Sequence, residues 1–527
     1  MVHDLTIKKL FAGYLKTSES ELLQSGFNLA QAPQLLRLME NSPDPGRFME
    51  LVMDYCNKLK RKDEGTFYTP QHVAEKMFRQ TLKVFVKNNP DPALLLNIKV
   101  LDPACGSGEF IIAALNVLLE KFRSILSGVP PEELLLRILK NNLYGIDCNA
   151  NAIELIKRRL AAYGNISDGN FIVKDVLDFP NAAECFAEDI KFDIVIGNPP
   201  YVSYGLRNVG KIDKARAAEL RRRFPFSAEY KLALYALFME FAINSTAAGG
   251  VQSFIVPDSF LCGQYFTKLR NFMLKNCSFE YFYLIKQKLF KAVPGSLVIY
   301  IASRIPPASG NDFQTVLIDE QSAFDLPDSG YTMLQNCMAE NYRQRFRLFF
   351  DSATDKFVRD MESKSICKLG DLLEISSGLI ARGGKSSIIA DNPGESGCWQ
   401  PGLTSGRDIS NDGTINYQGK FINADPAKIK SGLKNIDYSK DKILIRQTGD
   451  RIVCAVDRRG LLVLNNIHVG IARNPAIDLE RLSKYLNSSE MLEYYQAVTL
   501  EANRPMAQID LETLKELPMK ELFLYLP

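Results

Sequence analysis

The chain has 527 residues, 46% apolar and 24% charged, a balance that builds several globular domains and excludes a mainly disordered or fibrous chain. Lys and Arg number 64 against 61 Asp and Glu, so the net charge of +3 neither demands nor excludes a polyanionic partner. Ten cysteines without a CxxC pair and three histidines exclude a zinc-type framework, and no apolar run approaches the ~20 residues of a membrane span. With no secretory h-region either, the expectation is a cytoplasmic protein with reduced thiols, no membrane partner and no metal site.

In chain order, residues 1–65 read as a helical segment, with apolar positions at helical spacing and a first basic cluster, KLKRK, at 58–62. Over 66–305 the pattern alternates. Short β-rich runs (IKVLD, NLYGID, NFIVKD, FDIVIGN, VQSFIVP, LVIYIAS) are separated by helical stretches such as 109–123 and 150–162. That alternation predicts βαβ units and a mostly parallel, Rossmann-like α/β sheet. A second basic cluster, KARAAELRRR, spans 214–223. Residues 306–365 are polar and read as a connector carrying a short strand. Residues 366–527 read as a separate α+β domain. It has Gly, Ser, Asn and Asp turns, short strands (DKILIRQ, RIVCAVD, GLLVL) and helices near 478–498.

Three strand ends carry acids. VLDPACGSGEF places Asp102 at the end of a strand, then a turn of Ala104, Cys105, Gly106, Ser107 and Gly108, then a helix. Glycines there let a ligand approach backbone closely, at the strand end where open α/β sheets bind ligands. Asp147 ends LYGID and suits two ribose hydroxyls; Asp175 ends FIVKD and suits an adenine amino group. For each acid the plain alternative is a helix N-cap after a strand. The glycine spacing is neither the dinucleotide fingerprint nor a phosphate loop, so the ligand is a nucleoside with little or no phosphate. S-adenosylmethionine meets that description. The fourth strand end reads Asn198-Pro199-Pro200-Tyr201. Prolines cannot continue a sheet ladder, and what remains is a stiff loop offering an amide, bare carbonyls and a flat ring.

DPACGSGEF followed 96 positions later by NPPY resembles the gamma class of adenine-N6 DNA methyltransferases, and TFYTP at 66–70 resembles the extra cofactor segment that precedes the glycine motif there. The resemblance covers 66–303. It implies S-adenosylmethionine held by Tyr68, Thr69, Asp102, Ala104, Cys105, Gly106, Gly108, Phe110, Asp147 and Asp175. It implies catalysis by Asn198, Pro199, Pro200 and Tyr201, with double-stranded DNA as partner. It also places an upper stacking ring at Phe290, for which the alternative is an ordinary core position. Beyond residue 365 the segments LGDLLEISSGLIARGGK, WQPGLTSGRDIS, KILIRQTGDRIVCAVD and ANRPMAQIDLETLKELPM resemble a TaqI-like C-terminal specificity domain. Its candidate DNA contacts are Arg382, Lys385, Arg407, Arg446 and Arg451; Trp399 is expected to anchor the domain core and His468 to satisfy a local polar contact.

Some members of this class carry a fused nuclease. About 65 residues before TFYTP, without an Asp…Glu-x-Lys set, lead to the expectation of methylation alone, with any restriction endonuclease on a separate chain. Two other activities suit the same loop. One is an N5-glutamine protein methyltransferase, and the other is a cytosine-N4 DNA methyltransferase. A non-catalytic DNA-binding specificity subunit is the remaining reading; the intact acids and NPPY oppose it.

Overall fold

A computed structural model describes residues 69–524 apart from 162, 165–167, 205–211, 231, 288, 290–294, 320–323, 394–397, 435, 503 and 505–506. The segment 1–65 with its KLKRK cluster, Tyr68 and Phe290 therefore lie outside the described residues. The chain divides between Phe346 and Arg347 into two compact units.

The first unit is built on a nine-stranded sheet. Its strands are β1 (Val100–Asp102), β2 (Leu143–Asp147), β3 (Phe171–Val173), β4 (Phe192–Gly197), β5 (Thr246–Pro257), β6 (Ser278–Ile285), β7 (Leu297–Ser303), β8 (Asp312–Ile318) and β9 (Tyr331–Leu334). The spatial order is β9-β8-β6-β7-β5-β4-β1-β2-β3. Strands β3 to β5 are parallel, with Val100 opposite Leu143 and Ile194, Gly145 opposite Phe171, and Ile194 opposite Val251. β7 then inserts antiparallel between β5 and β6. The sheet is therefore mixed rather than mostly parallel beyond β5, because β7 runs back between the two.

The parallel half reads as continuous apolar runs because helices cover both faces. Ile194, Val195 and Ile196 are fully buried, each contributing roughly 1.5–3 kcal/mol of burial. Five of the helices matter here: α1 (Gln71–Asn88), α2 (Glu109–Ile125), α3 (Pro131–Asn141), α4 (Ala150–Ala161) and α5 (Lys214–Arg223). α1 buries Val73, Ala74, Met77, Phe78 and Phe85 at three- and four-residue spacing. Two more, α6 (Leu234–Ser245) and α7 (Thr267–Asn276), follow the Asn-Pro-Pro-Tyr loop. Residues of the stretch 306–346 join the same sheet through β8 and β9. Polar, alternating strands at or next to a sheet edge look like loop in a sequence.

The second unit centres on a four-stranded antiparallel sheet of β10 (Leu373–Ser377), β13 (Lys442–Arg446), β14 (Cys454–Asp457) and β16 (Ile467–Ala472). A further sheet includes β11 (Trp399–Leu403), β12 (Phe421–Asn423) and β15 (Leu462–Val463). Leu403, Ile422, Leu444, Val463 and Ile467 share its core. Trp399, expected to anchor that core, is only half-buried on β11. That core is built largely of Leu, Ile and Val side chains instead. His468 is buried, facing Ser377 Oγ through Nδ1 at 3.2 Å and the Ile509 carbonyl through Nε2 at 2.9 Å. A carbonyl can only accept, so Nε2 carries the proton, and burial lowers the imidazole pKa.

Candidate active site at the carboxyl edge of the sheet

The strand ends β1, β2, β3 and β4 meet along one edge. There the glycine turn is fastened to its neighbours by its own amides. Ala104 N–H donates to Asp102 Oδ1 at 3.0 Å, Cys105 N–H to the Ile146 carbonyl at 3.0 Å, Gly106 N–H to Asp147 Oδ2 at 2.9 Å and Gly108 N–H to the Cys105 carbonyl at 2.7 Å. These donors face inward to the protein. The turn is thus not the outward-pointing amide cradle that holds phosphate. The two glycines do different things. Gly108 has φ +91°, and a Cβ there would lie 2.3 Å from Ile156 Cδ1, so it lets α2 close on α4. Gly106 has φ +50° and opens on space in which a Cβ would meet nothing within 4 Å.

Asp102 is 1% exposed. Burial first, and then the nearby Asp147 charge, push its carboxyl up to about 8, against the Ala104 hydrogen bond. Its Oδ1 lies across the end of β4, where a Cβ on Gly197 would fall 2.7 Å away. Gly197 was not singled out from the sequence, although a glycine closing an apolar strand is a signal of close approach. The Cys105 thiol is buried and pushed well up, by burial and by Asp102 and Asp147. Asp147 also accepts from Asn149 N–H at 2.8 Å. Phe110 is buried in the core of the unit.

Asp175 stands just past β3. Its Oδ1 accepts from Leu177 N–H at 3.0 Å, which is an N-cap, and its Oδ2 accepts from Arg216 Nη2 at 3.1 Å. Arg216, on α5, also meets Asp178 at 2.6 Å and Glu219 at 3.0 Å. The sequence showed α5 as a basic cluster; its link to Asp175 needed the fold.

β4 stops at Gly197 and the NPPY loop follows. Asn198 Nδ2 donates to Thr69 Oγ1 at 3.0 Å, and Thr69 is buried. The amide nitrogen is thereby turned to Thr69 and the amide oxygen away from it. Pro199 is buried and Pro200 half-buried. Tyr201 O–H donates to the Ile255 carbonyl of β5 at 3.0 Å, and burial raises its pKa. The ring is thus pinned at its far end and set before any ligand arrives. Asn198, Pro199, Pro200, Tyr201, Thr69, Asp102, Ala104, Cys105, Gly106, Gly108, Asp147 and Asp175 lie at or beside this edge. Among the described residues no group of three or more His, Cys, Asp or Glu side chains is placed to hold a metal ion, and no helix is long and apolar enough to cross a membrane.

In the second unit Arg382, Lys385, Arg407 and Arg451 are exposed. Arg446 is half-buried and donates to Asn411 Oδ1 at 2.6 Å; burial, and then repulsion from Arg407, lower its pKa.

Comparison with known proteins bears on both units. Residues 141–290 match the family model of the Eco57I restriction-modification methylase, and residues 402–519 that of the TaqI-like C-terminal specificity domain. The chain is 31% identical over 195 residues to the type II methyltransferase M.BstVI of Geobacillus stearothermophilus, covering 36% of this chain and 33% of that one. It is 26% identical over 260 residues to the type II restriction enzyme and methyltransferase RM.Eco57I of Escherichia coli, covering 42% and 26%. The matches thus span a quarter to a third of these two curated relatives. In fold it is similar to a nuclease-deletion mutant of the Type ISP restriction-modification enzyme LlaGI in complex with a DNA substrate mimic. The TM-score is 0.59 at 12% identity, covering 96% of this chain and 60% of that one.

Proposed function

From an Eco57I-like restriction-modification methylase domain joined to a TaqI-like C-terminal specificity domain, we propose a site-specific DNA adenine-N6 methyltransferase that uses S-adenosylmethionine and serves as a modification enzyme. The observation that carries this reading is the Asn198–Thr69 hydrogen bond beside the glycine turn. It presents an amide oxygen and the Pro199 carbonyl from a proline-stiffened loop.

The edge suits the cofactor. Gly106 opens on free space, Asp147 places a carboxylate at the strand end beside it, and the turn amides are engaged within the protein. Bound there, S-adenosylmethionine supplies an electrophilic methyl carbon on sulfur. Tyr68, Thr69, Asp102, Ala104, Cys105, Gly108, Phe110 and Asp175 complete the proposed binding set.

An adenine inside a duplex cannot reach the loop, so it is flipped out at a cost of a few kcal/mol. Tyr201 recovers ~1–3 kcal/mol by stacking, with Phe290 as the proposed opposite face. The N6 lone pair is delocalised into the ring and is a poor nucleophile. Hydrogen bonds from the amine to Asn198 Oδ1 and the Pro199 carbonyl favour a pyramidal nitrogen, which returns the lone pair to nitrogen. These acceptors are held in place beforehand, and no dedicated base is required. The methyl carbon–sulfur bond would break as the N–C bond forms, its electron pair staying on sulfur, and the amine proton then passes to solvent. Arg382, Lys385, Arg407, Arg446 and Arg451 are the proposed DNA contacts of the specificity unit. A restriction endonuclease on a separate chain is the proposed counterpart.

The test is methyl incorporation into unmethylated DNA, digested to nucleosides. N6-methyladenine is expected. Asn198→Ala should lower the rate at least a hundredfold, as loss of a preorganised group does, with cofactor still bound by calorimetry. N4-methylcytosine, label on protein, or full activity in Asn198→Ala would overturn the reading.

A further inference from the structure

Two aromatic pairs stand on the surface of the first unit. Tyr230 is 74% exposed and stacks on Tyr265 with ring centroids 5.2 Å apart at 26°. Phe226 is 41% exposed and stacks on Phe272 at 4.3 Å and 4°. Single exposed rings are ordinary; two exposed rings four positions apart on one short loop, each stacked on a half-buried ring, are not.

The loop carrying Phe226 and Tyr230 is firmly built. Buried Glu240 accepts from Phe226 N–H at 3.2 Å, from Ser227 N–H at 2.7 Å and from Ser227 Oγ at 2.6 Å. Arg221 Nε donates to the Glu229 carbonyl at 3.4 Å, and Lys268 N–H donates to the Glu229 carboxylate. The Arg221 side chain and the Lys268 main chain are thus both tied to Glu229, the residue before Tyr230, and both residues are exposed. The acids nearby are engaged elsewhere: Glu219 with Arg216 and Arg223, and Asp213 as the N-cap of α5. Among the described residues no carboxylate pairs with the side chains of Arg221, Arg222 or Lys268.

The position is informative. Ser203–Tyr204, directly after NPPY, pairs antiparallel with Leu232–Ala233, and Leu234 N–H donates to the Val202 carbonyl at 2.8 Å. Tyr230 therefore sits two residues from a strand strapped to the catalytic loop. Tyr265 follows the end of β5 through Ser259–Cys262, and Ser259 Oγ lies 2.8 Å from Tyr235 Oη. Each ring grows from a segment leaving the carboxyl edge.

We propose that the Tyr230–Tyr265 pair, together with Arg221 and Lys268, is a DNA-contacting surface beside the flipped-base pocket. Tyr230 stacks on a base or sugar next to the extruded nucleotide, and the two cations take the flanking phosphates. Flat rings with adjacent cations suit a nucleic-acid strand that has been partly unstacked. The proposal rests on the DNA methyltransferase reading above.

The experiment uses the full chain and a fluorescein-labelled duplex with a central mismatched adenine, followed by anisotropy. Tyr230→Ala should raise Kd about tenfold, as loss of one stacked base does. Tyr230→Phe should bind like the wild type, because the ring and not the hydroxyl makes the contact. Arg221→Ala and Lys268→Ala should each flatten the log–log salt dependence by about one unit. Cofactor affinity by calorimetry should be the same in all four. Wild-type affinity in Tyr230→Ala would overturn the surface. Methyl incorporation into unmethylated bacteriophage DNA, measured in parallel, separates the two claims. Incorporation with unchanged Tyr230→Ala binding removes only the surface. Weakened binding with no incorporation by the wild type leaves the surface and removes the methyltransferase reading.

Discussion

Two buried acids, one in each unit, are kept in opposite ways. Asp457 in β14 has a fully buried side chain, meets Lys442 Nζ at 2.7 Å and accepts from Arg459 and Leu461 N–H at 3.0 and 2.9 Å. Lys442 also donates to the Tyr438 carbonyl at 2.8 Å. Asp102 is as deeply buried, but among the described residues no cation reaches it, and its neighbour is another acid. A buried charge matched by its counter-charge and backbone bonds is a fastening inside the fold. An acid stripped of water and denied a cation, at a strand end, is the signature by which Asp102 enters the proposed ligand site.

The comparison breaks most visibly at Lys442. Lys442→Ala leaves Asp457 buried without its cation, which costs about 3–5 kcal/mol. For a unit of this size that is a fall of roughly 10 °C in Tm, read by calorimetry as a lower transition of the second unit. Lys442→Met with Asp457→Leu should recover most of it, because removing both charges removes the desolvation cost as well. A double variant no better than the single would mean that the pair does more than satisfy itself.

Asp102 predicts a pH dependence of definite sign. Its folded pKa, about 8, lies above the unfolded value of roughly 3.9. Between these limits the folded state holds a proton that the unfolded state has released. Stability is therefore highest at the acid end of the window and falls as pH rises, on the order of 1 kcal/mol per pH unit, levelling off above the folded value. Asp102→Asn, neutral throughout, should remove this slope in denaturant titrations from pH 5 to 8. A slope that persists in Asp102→Asn would assign the effect to another group, of which Glu240, pushed up to about 7 by burial, is the first to examine.

What the sequence made legible follows from the same physics. β1 to β5 and β7 carry apolar runs that end at or near an acid, a glycine or a proline, and each reads as a strand. β6, SFEYFYLI, does not, because interior polar and aromatic residues blur both periods; β8 and the edge strand β9 are half-exposed with polar alternation. At the site, the positions of Asp102, Asp147 and Asn198 are legible since each closes or directly follows its own strand. The contacts between them are not. Thr69 meets Asn198 across 129 positions, and no local pattern encodes which hydroxyl meets which amide. Arg216 reads as one charge in a basic run until the fold brings Asp175 to it.

Thr69 sharpens the comparison next. A buried hydroxyl that turns Asn198 should act on the chemical step. Thr69→Val should lower kcat about tenfold, the worth of one hydrogen bond, with cofactor affinity unchanged and Thr69→Ser restoring the rate. If Thr69 instead holds the cofactor, calorimetry will show the dissociation constant rising while kcat at saturation is retained.

The smallest effect belongs to Arg216. Its side chain and that of Asp175 are 27% and 44% exposed, so Arg216→Ala should cost no more than about 1 kcal/mol, a loss that shrinks with salt. The variant matters for another reason. Asp175 has two candidate duties, as N-cap and as acceptor for the adenine amino group. Asn caps a helix about as well as Asp, so Asp175→Asn should leave Tm near that of the wild type. A raised cofactor dissociation constant in Asp175→Asn then identifies ligand acceptance. If affinity is also unchanged, Asp175 only caps its turn. Arg216→Ala completes the pair: freed of the guanidinium, an accepting Asp175 should bind cofactor with affinity altered a few-fold, whereas a mere cap leaves affinity where it was.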